Sequence, residues 1–402
     1  MKAGWRTEPL NAVCQLINRG VSPAYVENGG VAVLNQKCVR GHTVNFDLGR
    51  RHNAAEKKVS TDKFLRAGDV LVNSTGTGTL GRVAQLRAAP VEPTTVDSHV
   101  TIVRPKDELF HSEFFGYALI AIEEKIQEGG EGCGGQTELA RSKLANDFYV
   151  SFPEDIRAQQ RIVTILDEAF DGIATAKANA EKNLQNARAI FESHLQSVFT
   201  KAWGAGNLVT LADLTTDITD GDHMPPPKAE TGIAFITIGN IDKSTRTIDF
   251  SDTFKVSKTY FDGLKPNKKP KKGDVLYTVT GSFGIPVLVT ENREFCFQRH
   301  VGLVRPKSDV NSEWLYYLLM SPQVVKQAND GATGTAQKTV SLKLLRGFEV
   351  PRVPLVDQQG VVSKLNAVFE ETQRLESLYQ RKLQALDDLK KSLLHQAFSG
   401  GV

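Results

Sequence analysis

Residues Ile156 to Phe199 read IRAQQRIVTILDEAFDGIATAKANAEKNLQNARAIFESHLQSVF. No proline interrupts the stretch, and its one glycine is Gly172. Apolar or small side chains recur at Ile162, Leu166, Ala169, Ile173, Ala176, Ala180, Leu184, Ala187, Phe191, Leu195 and Val198. Steps that alternate between three and four place all of them on one stripe of an α-helix. The repeat averages about 3.6 residues, which keeps the stripe nearly straight and suits a long contact with a second helix. Polar residues fill the other faces, so this helix needs a partner of similar length.

The partner closes the chain. From Gln358 to Phe398 the same spacing recurs at Val361, Leu365, Val368, Thr372, Leu375, Tyr379, Leu386, Leu389, Leu393 and Ala397. The register is shared too: Gln159 with Gln358, Leu166 with Leu365, Phe170 with Phe369 and Phe199 with Phe398 all stand at one offset. Each helix would span roughly 60 Å, longer than an ordinary domain is wide.

The chain has 402 residues, enough for two or more domains with real cores. Its 40% hydrophobic and 24% charged content describes a globular protein rather than a disordered one. A net charge of +3 neither demands nor excludes nucleic acid, so the distribution of charge decides. Cys14, Cys38, Cys133 and Cys296 are scattered without a C-x-x-C pair, which argues against a zinc cluster or a disulfide scaffold and fits a reducing cytosol. No apolar run approaches the roughly 18 residues of a membrane span, and the start lacks a signal-peptide core. A cytoplasmic location with no membrane contact is expected.

Outside the helices the chain reads as a duplication. Ala67-Gly68-Asp69-Val70-Leu71-Val72 matches Lys272-Gly273-Asp274-Val275-Leu276-Tyr277, and Val100 to Lys106 matches Val301 to Lys307 through Val-Arg-Pro-Lys. Ser112-Glu113-Phe114 and Ser312-Glu313-Trp314 each open a short helix, expected near Glu113–Glu128 and Glu313–Ala328. Short β-branched runs bounded by Gly, Pro or Asn predict strands over Asp69–Asn73, Arg82–Leu86, Val100–Arg104, Asp274–Thr278, Val287–Thr290 and Val301–Arg305. The expected fold is α+β. Two strand-rich domains, 1–153 and 202–354, alternate with two helical segments, 154–201 and 355–402, whose helices pair antiparallel as a coiled coil around an internal pseudo-two-fold repeat.

Two motifs tempt a catalytic reading. Gly76-Thr77-Gly78-Thr79-Leu80-Gly81 is a G-x-G-x-x-G, but a dinucleotide or phosphate loop must open a helix, and Arg82 to Leu86 reads as a strand. Its duplicate, Thr280 to Pro286, keeps two of the glycines and adds a proline, so an exposed hairpin tip is the better reading. His99, Arg299-His300 and His223 lack further ligands at metal spacing. No nucleophile–base arrangement and no carboxylate pair stands out, so a non-catalytic chain is expected. Basic clusters precede the Gly-Asp strand in both copies: Arg50, Arg51, Lys57, Lys58, Lys63 and Arg66, then Lys255, Lys258, Lys265, Lys268, Lys269, Lys271 and Lys272. Their equivalent positions favour a phosphate-facing surface over a merely solvated loop.

Arg157-Ala158-Gln159-Gln160-Arg161-Ile162-Val163 and the closing run Leu378 to Gly400 resemble the two conserved helical regions of the specificity subunit of Type I restriction–modification enzymes. The repeated Gly-Asp-Val-Leu and Arg-Pro resemble its two target recognition domains. The resemblance spans the chain and is most specific at the C-terminal helix. It implies that each recognition domain reads one half of an asymmetric, bipartite DNA site and that the helices act as a ruler for the gap. It also implies two modification subunits carrying S-adenosylmethionine that methylate adenine N6, and two ATP- and Mg-dependent restriction subunits, with no cofactor in this chain.

On this reading Lys57, Lys58, Arg66, Lys268, Lys269, Lys271 and Lys272 face phosphates. The candidate groove readers are Asn73, Ser74, Thr77, Thr79, Arg82, His99 and Gln136 in the first copy. In the second they are Thr278, Thr280, Ser282, Arg299, His300, Gln337 and Lys338. Two alternatives stand beside it: a nucleotide-binding enzyme using Gly76–Gly81, and a coiled-coil adaptor without DNA affinity.

Overall fold

Short β-branched runs become strands in both copies, and they assemble in the same order twice. The computed structural model describes residues 4–132, 137–335 and 337–399. It divides into two units, residues 1–180 with 382–402 and residues 181–381.

In the first unit β1 (Cys14–Arg19), β2 (Val70–Asn73), β3 (Val83–Gln85) and β4 (Val100–Pro105) form an antiparallel sheet ordered β1-β4-β2-β3. Side chains alternate across it, as a pleated strand requires. Val70, Val72 and Val103 pack on Phe114, Phe115 and Leu119 of helix α1 (Ser112–Ala121) and on Ile162, Val163 and Leu166 of the long helix. Leu71, Val100 and Ile102 face the other way, onto Leu34 and Val96. Those two belong to a second sheet in which Thr94–Val96 runs parallel to Val31–Leu34.

The second unit repeats the plan. Here β5 (Thr215–Asp220), β6 (Val275–Thr278), β7 (Pro286–Leu288) and β8 (Val301–Pro306) take the order β5-β8-β6-β7. Val275 and Tyr277 pack with Trp314 and Leu318 of α3 (Ser312–Met320) and with Leu195 and Phe199. Leu276 lies with Ile236, Phe295 and Phe297 instead. Phe295–Phe297 again runs parallel to Ile233–Ile236.

The long helices are α2 (Ile156–Gly204) and α4 (Leu355–Ser399). Ile162, Leu166, Ile173, Ala180, Ala187, Phe191 and Leu195 of the expected stripe are buried, as are Leu365, Thr372 and Ala397. Within the first unit Lys177 Nζ donates to Asp387 at 2.6 Å, and Lys390 Nζ lies over the Phe170 ring at 5.1 Å. Within the second, Arg188 Nε donates to Glu376 at 3.1 Å and the rings of Phe191 and Phe369 are 5.3 Å apart. In each unit the partner number falls as the α2 number rises, so the pairing is antiparallel there. Leu389 departs from the expected stripe: it is exposed, and Leu383, Leu386 and Lys390 carry the inner face. The step from Leu383 to Leu386 is already three, so a second step of three to Leu389 drifts off the face, whereas a step of four to Lys390 returns to it.

The expected helix Glu113–Glu128 breaks at Ile122 and resumes over Glu123–Glu128. Its counterpart breaks at Ser321, because Pro322 lacks the N–H that would continue the ladder and instead opens Pro322–Gly331. Four further short helices, Leu10–Val13, Arg141–Asn146, Lys258–Gly263 and Leu342–Arg346, carry no periodicity in the sequence, because so few turns leave none to detect.

Each long helix is fastened by a buried glutamine in its first turns. Gln159 accepts from His111 N at 2.8 Å and donates to Leu109 O at 3.0 Å and Pro153 O at 2.9 Å. Gln358 repeats this with Asn311 N at 2.7 Å, Asp309 O at 3.2 Å and Val353 O at 2.7 Å.

Candidate nucleic-acid interface

Antiparallel pairing places the end of β2 beside the start of β4, with Asn73 opposite Val100. Two turns therefore meet: Ser74 N donates to His99 O at 2.8 Å. A third loop joins them, as Leu139 N donates to Ser74 O at 2.8 Å and Gly76 N to Thr137 O at 3.3 Å. In the second unit Val279 N donates to His300 O at 2.9 Å, Val340 N to Val279 O at 2.8 Å and Gly281 N to Lys338 O at 3.1 Å. One end of each main sheet thus carries three interlocked loops.

The glycine-rich loop turns the chain from β2 into β3, with no helix behind it. Gly76, Gly78 and Gly81 have φ of +101°, +74° and +79°, the left-handed region that favours glycine. A Cβ on Gly81 would stand 2.8 Å from Gln127 N. The glycines serve a tight hairpin.

Several candidate readers point into the first unit rather than out of it. Asn73 and Ser74 are buried, Asn73 donating to Gln36 O at 3.0 Å and Ser74 meeting Thr101 Oγ1 at 2.5 Å. Thr79 donates to Thr75 O at 3.2 Å, and Arg82 folds back onto Gly78 O at 2.8 Å. Thr77 and His99 are exposed, with His99 Nδ1 hydrogen-bonded to Thr75 Oγ1 at 2.7 Å. Gln136 lies outside the described residues. In the second unit Thr278 is buried, donating to Ser282 O at 2.8 Å and accepting from Ile285 N at 2.9 Å. Thr280, Ser282 and His300 are half-buried, while Arg299, Gln337 and Lys338 are exposed.

The basic clusters divide between two ends of the sheet. Lys63 Nζ donates to Gly20 O at 2.9 Å, and Lys268 Nζ does the same to Gly221 O at 3.0 Å with Asp222 at 3.7 Å. Lys57 reaches Ser22 O at 2.8 Å, beside exposed Lys58. Lys269 donates to Asp262 O at 2.9 Å and lies over the Phe261 ring. Arg66, Lys271 and Lys272 are exposed at the opposite end of β2 and β6 from the hairpin tips. Of the residues expected to face phosphates, Lys58, Arg66, Lys271 and Lys272 are exposed, while Lys57, Lys268 and Lys269 also donate to backbone carbonyls of their own unit.

Two residues at the loops went unnoticed in sequence. Gln36 Oε1 accepts weakly from Thr75 and Thr79 hydroxyls at 3.4 Å each, and Lys243 Nζ stands 2.6 Å from Ser282 Oγ. Each reaches a loop some forty residues downstream, as the separations of 39, 43 and 39 show, and only tertiary structure reveals that.

Away from the loops, a cavity of about 660 Å³ in the first unit is lined by Val44, Phe46, Tyr117, Asp167, Phe170 and Lys390, among others. Asp167 takes hydrogen bonds from Arg87 and Tyr117; burial works against its charged form, but these bonds hold its carboxyl below the usual range. Among the described residues no group of three His, Cys, Asp or Glu could hold a metal ion. Among them, too, no helix is long and apolar enough to cross a membrane.

The Type I restriction modification DNA specificity domain model matches the chain at residues 3–185 and 217–384. The chain is 21% identical over 335 residues to the Type I restriction enzyme EcoBI specificity subunit of Escherichia coli, covering 77% of this chain and 69% of that one. Among solved structures, a chain from work on complex assembly and conformational transition of the type I R-M system aligns with a TM-score of 0.80 at 17% identity, covering 100% and 99% of the two chains. The HsdS subunit from Thermoanaerobacter tengcongensis aligns with a TM-score of 0.63 at 17% identity, covering 100% and 98%.

Proposed function

The chain belongs to the Type I restriction modification DNA specificity domain family, and from that premise we propose that its two units each read one half of an asymmetric, bipartite duplex site. One observation carries this reading: the same three-loop end is built twice on the same sheet order, with different side chains at its surface. By register His99 and His300 are equivalent, as are Thr75 and Thr280, but Ser74, Ser98 and Thr137 of one unit stand where Val279, Arg299 and Lys338 stand in the other. Identical copies would suit a palindrome; unlike ones suit unlike halves. In this reading 1–153 and 202–354 are the recognition domains, and the paired helices set the gap.

The chain's own work is to bind, orient and space. Backbone contacts fix the register of each unit on the duplex, and exposed side chains at the loop tips read base edges. Two modification subunits carrying S-adenosylmethionine act on adenine N6, with ATP- and Mg-dependent restriction subunits beyond them. Because the target base must leave the stack, this chain holds the duplex while the modification subunit flips the adenine.

The test is a selection. The chain with its modification subunit is offered a pool of randomised duplexes, and the retained sequences are read. Enrichment of two unlike half-sites at a fixed spacing is expected. Enrichment of a palindrome, or of nothing, would contradict the reading; retention of nothing by a complex that still assembles would favour an adaptor.

A further inference from the structure

Lys243 sits at the tip of a small hairpin, Ile241–Asp242 paired with Thr247–Ile248. Asp242 builds the turn: its Oδ1 accepts from Ser244 N at 2.7 Å, Thr245 N at 2.9 Å and Ser244 Oγ at 2.6 Å. The turn delivers Lys243 Nζ to Ser282 Oγ at 2.6 Å, inside the loop between β6 and β7. Exposed Arg299 lies in the adjoining turn, and exposed Lys338 lies in the loop whose carbonyl holds Gly281 N. Three cationic residues from three segments thus belong to one loop end.

Their charge is not cancelled locally. Among the described residues, no carboxylate oxygen lies within 4.0 Å of the charged groups of Lys243, Arg299 or Lys338. By contrast Lys258 is held by Asp262 and Glu294, and Lys268 by Asp222. A hydroxyl orients an ammonium without neutralising it. Lys243 is therefore a fixed positive charge with donors to spare, already partly immobilised, which lowers the ordering cost of binding an anion.

We propose that Lys243 is a backbone anchor of the second unit, gripping a DNA phosphate beside the Thr280–Gly284 loop and so fixing the register at which that loop meets the duplex. This rests on the reading of the second unit as a DNA reader. The equivalent small hairpin of the first unit, Val39–Arg40 paired with Thr43–Val44, carries Gly41 and His42 at its tip, and His42 lies 3.1 Å from Glu123. A carboxamide, Gln36, rather than an ammonium meets the hairpin loop there, so this contact belongs to the second unit. None of the basic positions apparent in sequence occupies this place.

The probe is the duplex that the unmodified complex selects from the randomised pool. K243A is expected to weaken binding while leaving the selected motif unchanged, and to flatten the slope of log affinity against log salt by roughly 0.9, the loss of one phosphate contact. K243R should keep the slope. An unchanged slope and affinity in K243A would overturn the proposal. So would an unchanged slope with lost discrimination at one base pair, which would assign Lys243 to a base. If the unmodified complex selects no duplex, the DNA reading itself falls first and the anchor with it.

Discussion

Arg104 grips Asp69 with two parallel hydrogen bonds, Nε to Oδ1 at 2.6 Å and Nη2 to Oδ2 at 2.7 Å. Arg305 repeats the fork on Asp274 at 2.9 and 2.7 Å. The Gly-Asp and Arg-Pro motifs that exposed the duplication in sequence are the two halves of this pair, which ties adjacent strands at the end of the sheet away from the hairpin tips. Each arginine also donates to backbone oxygens, Arg104 to Asp62 and Phe64 and Arg305 to Lys269. The Asp274 carboxylate raises the Arg305 guanidinium above its ordinary range, against the opposing effect of burial.

Removing one member of such a pair leaves the other charged and buried, at a cost of about 3–5 kcal/mol. D69A should therefore destabilise the first unit by that order, and D274A the second by less, because half-buried Arg305 keeps Asp217 at 3.9 Å; urea unfolding of the purified chain measures both. A D69L/R104M double replacement should cost less than either single one, since no charge is stranded. Single variants that unfold with the unmodified chain would contradict this role.

The buried glutamines make a second stability prediction. Q159A strands the His111 N–H and two carbonyls, and Q358A strands the Asn311 N–H in the same way. A loss of about 1–3 kcal/mol is expected for each. Proteolysis would report it locally, as faster cleavage near the start of the affected long helix. Equal cleavage rates would show that the clamp holds nothing.

The thiols of Cys14, Cys38 and Cys296 should be inert while the chain is folded. Burial pushes Cys14 and Cys296 up to about 12 and raises Cys38 as well. At pH 8 a thiol titrating near 12 is only about one part in ten thousand thiolate, and the thiolate is the reactive form. Alkylation followed by peptide mass spectrometry should find these three unmodified until denaturant is added. Rapid labelling of Cys14 in the folded chain would contradict its burial.

Much of this architecture was legible because it is periodic or repeated. The α2 stripe from Ile162 to Leu195 followed from spacing alone, and the strands from Val70, Val100, Val275 and Val301 followed from β-branching between turn residues. Hairpin loops were placed correctly because Gly76 and Gly81 are followed by a strand. The surface was harder to read. Asn73 and Thr278 look like hairpin-tip residues but end buried strands, so their side chains serve the fold. Lys268 looks like free charge but caps Gly221. Lys243 carries no signal, since its meeting with Ser282 is created by tertiary structure.

Unlike loop ends imply separable half-sites. R299A, at the second unit's loops, should relax or weaken one half of the selected sequence and leave the other half intact. H99A should do the reverse from the first unit. A variant that alters both halves together would mean that the two loop ends do not read independently.

The most direct test is a genome-wide map of N6-methyladenine after co-expressing this chain with its modification subunit in a host lacking adenine methylation. The account predicts a split motif of two unlike halves separated by a fixed gap. A map that stays blank while the two proteins co-purify, or one showing a continuous palindrome, would contradict it.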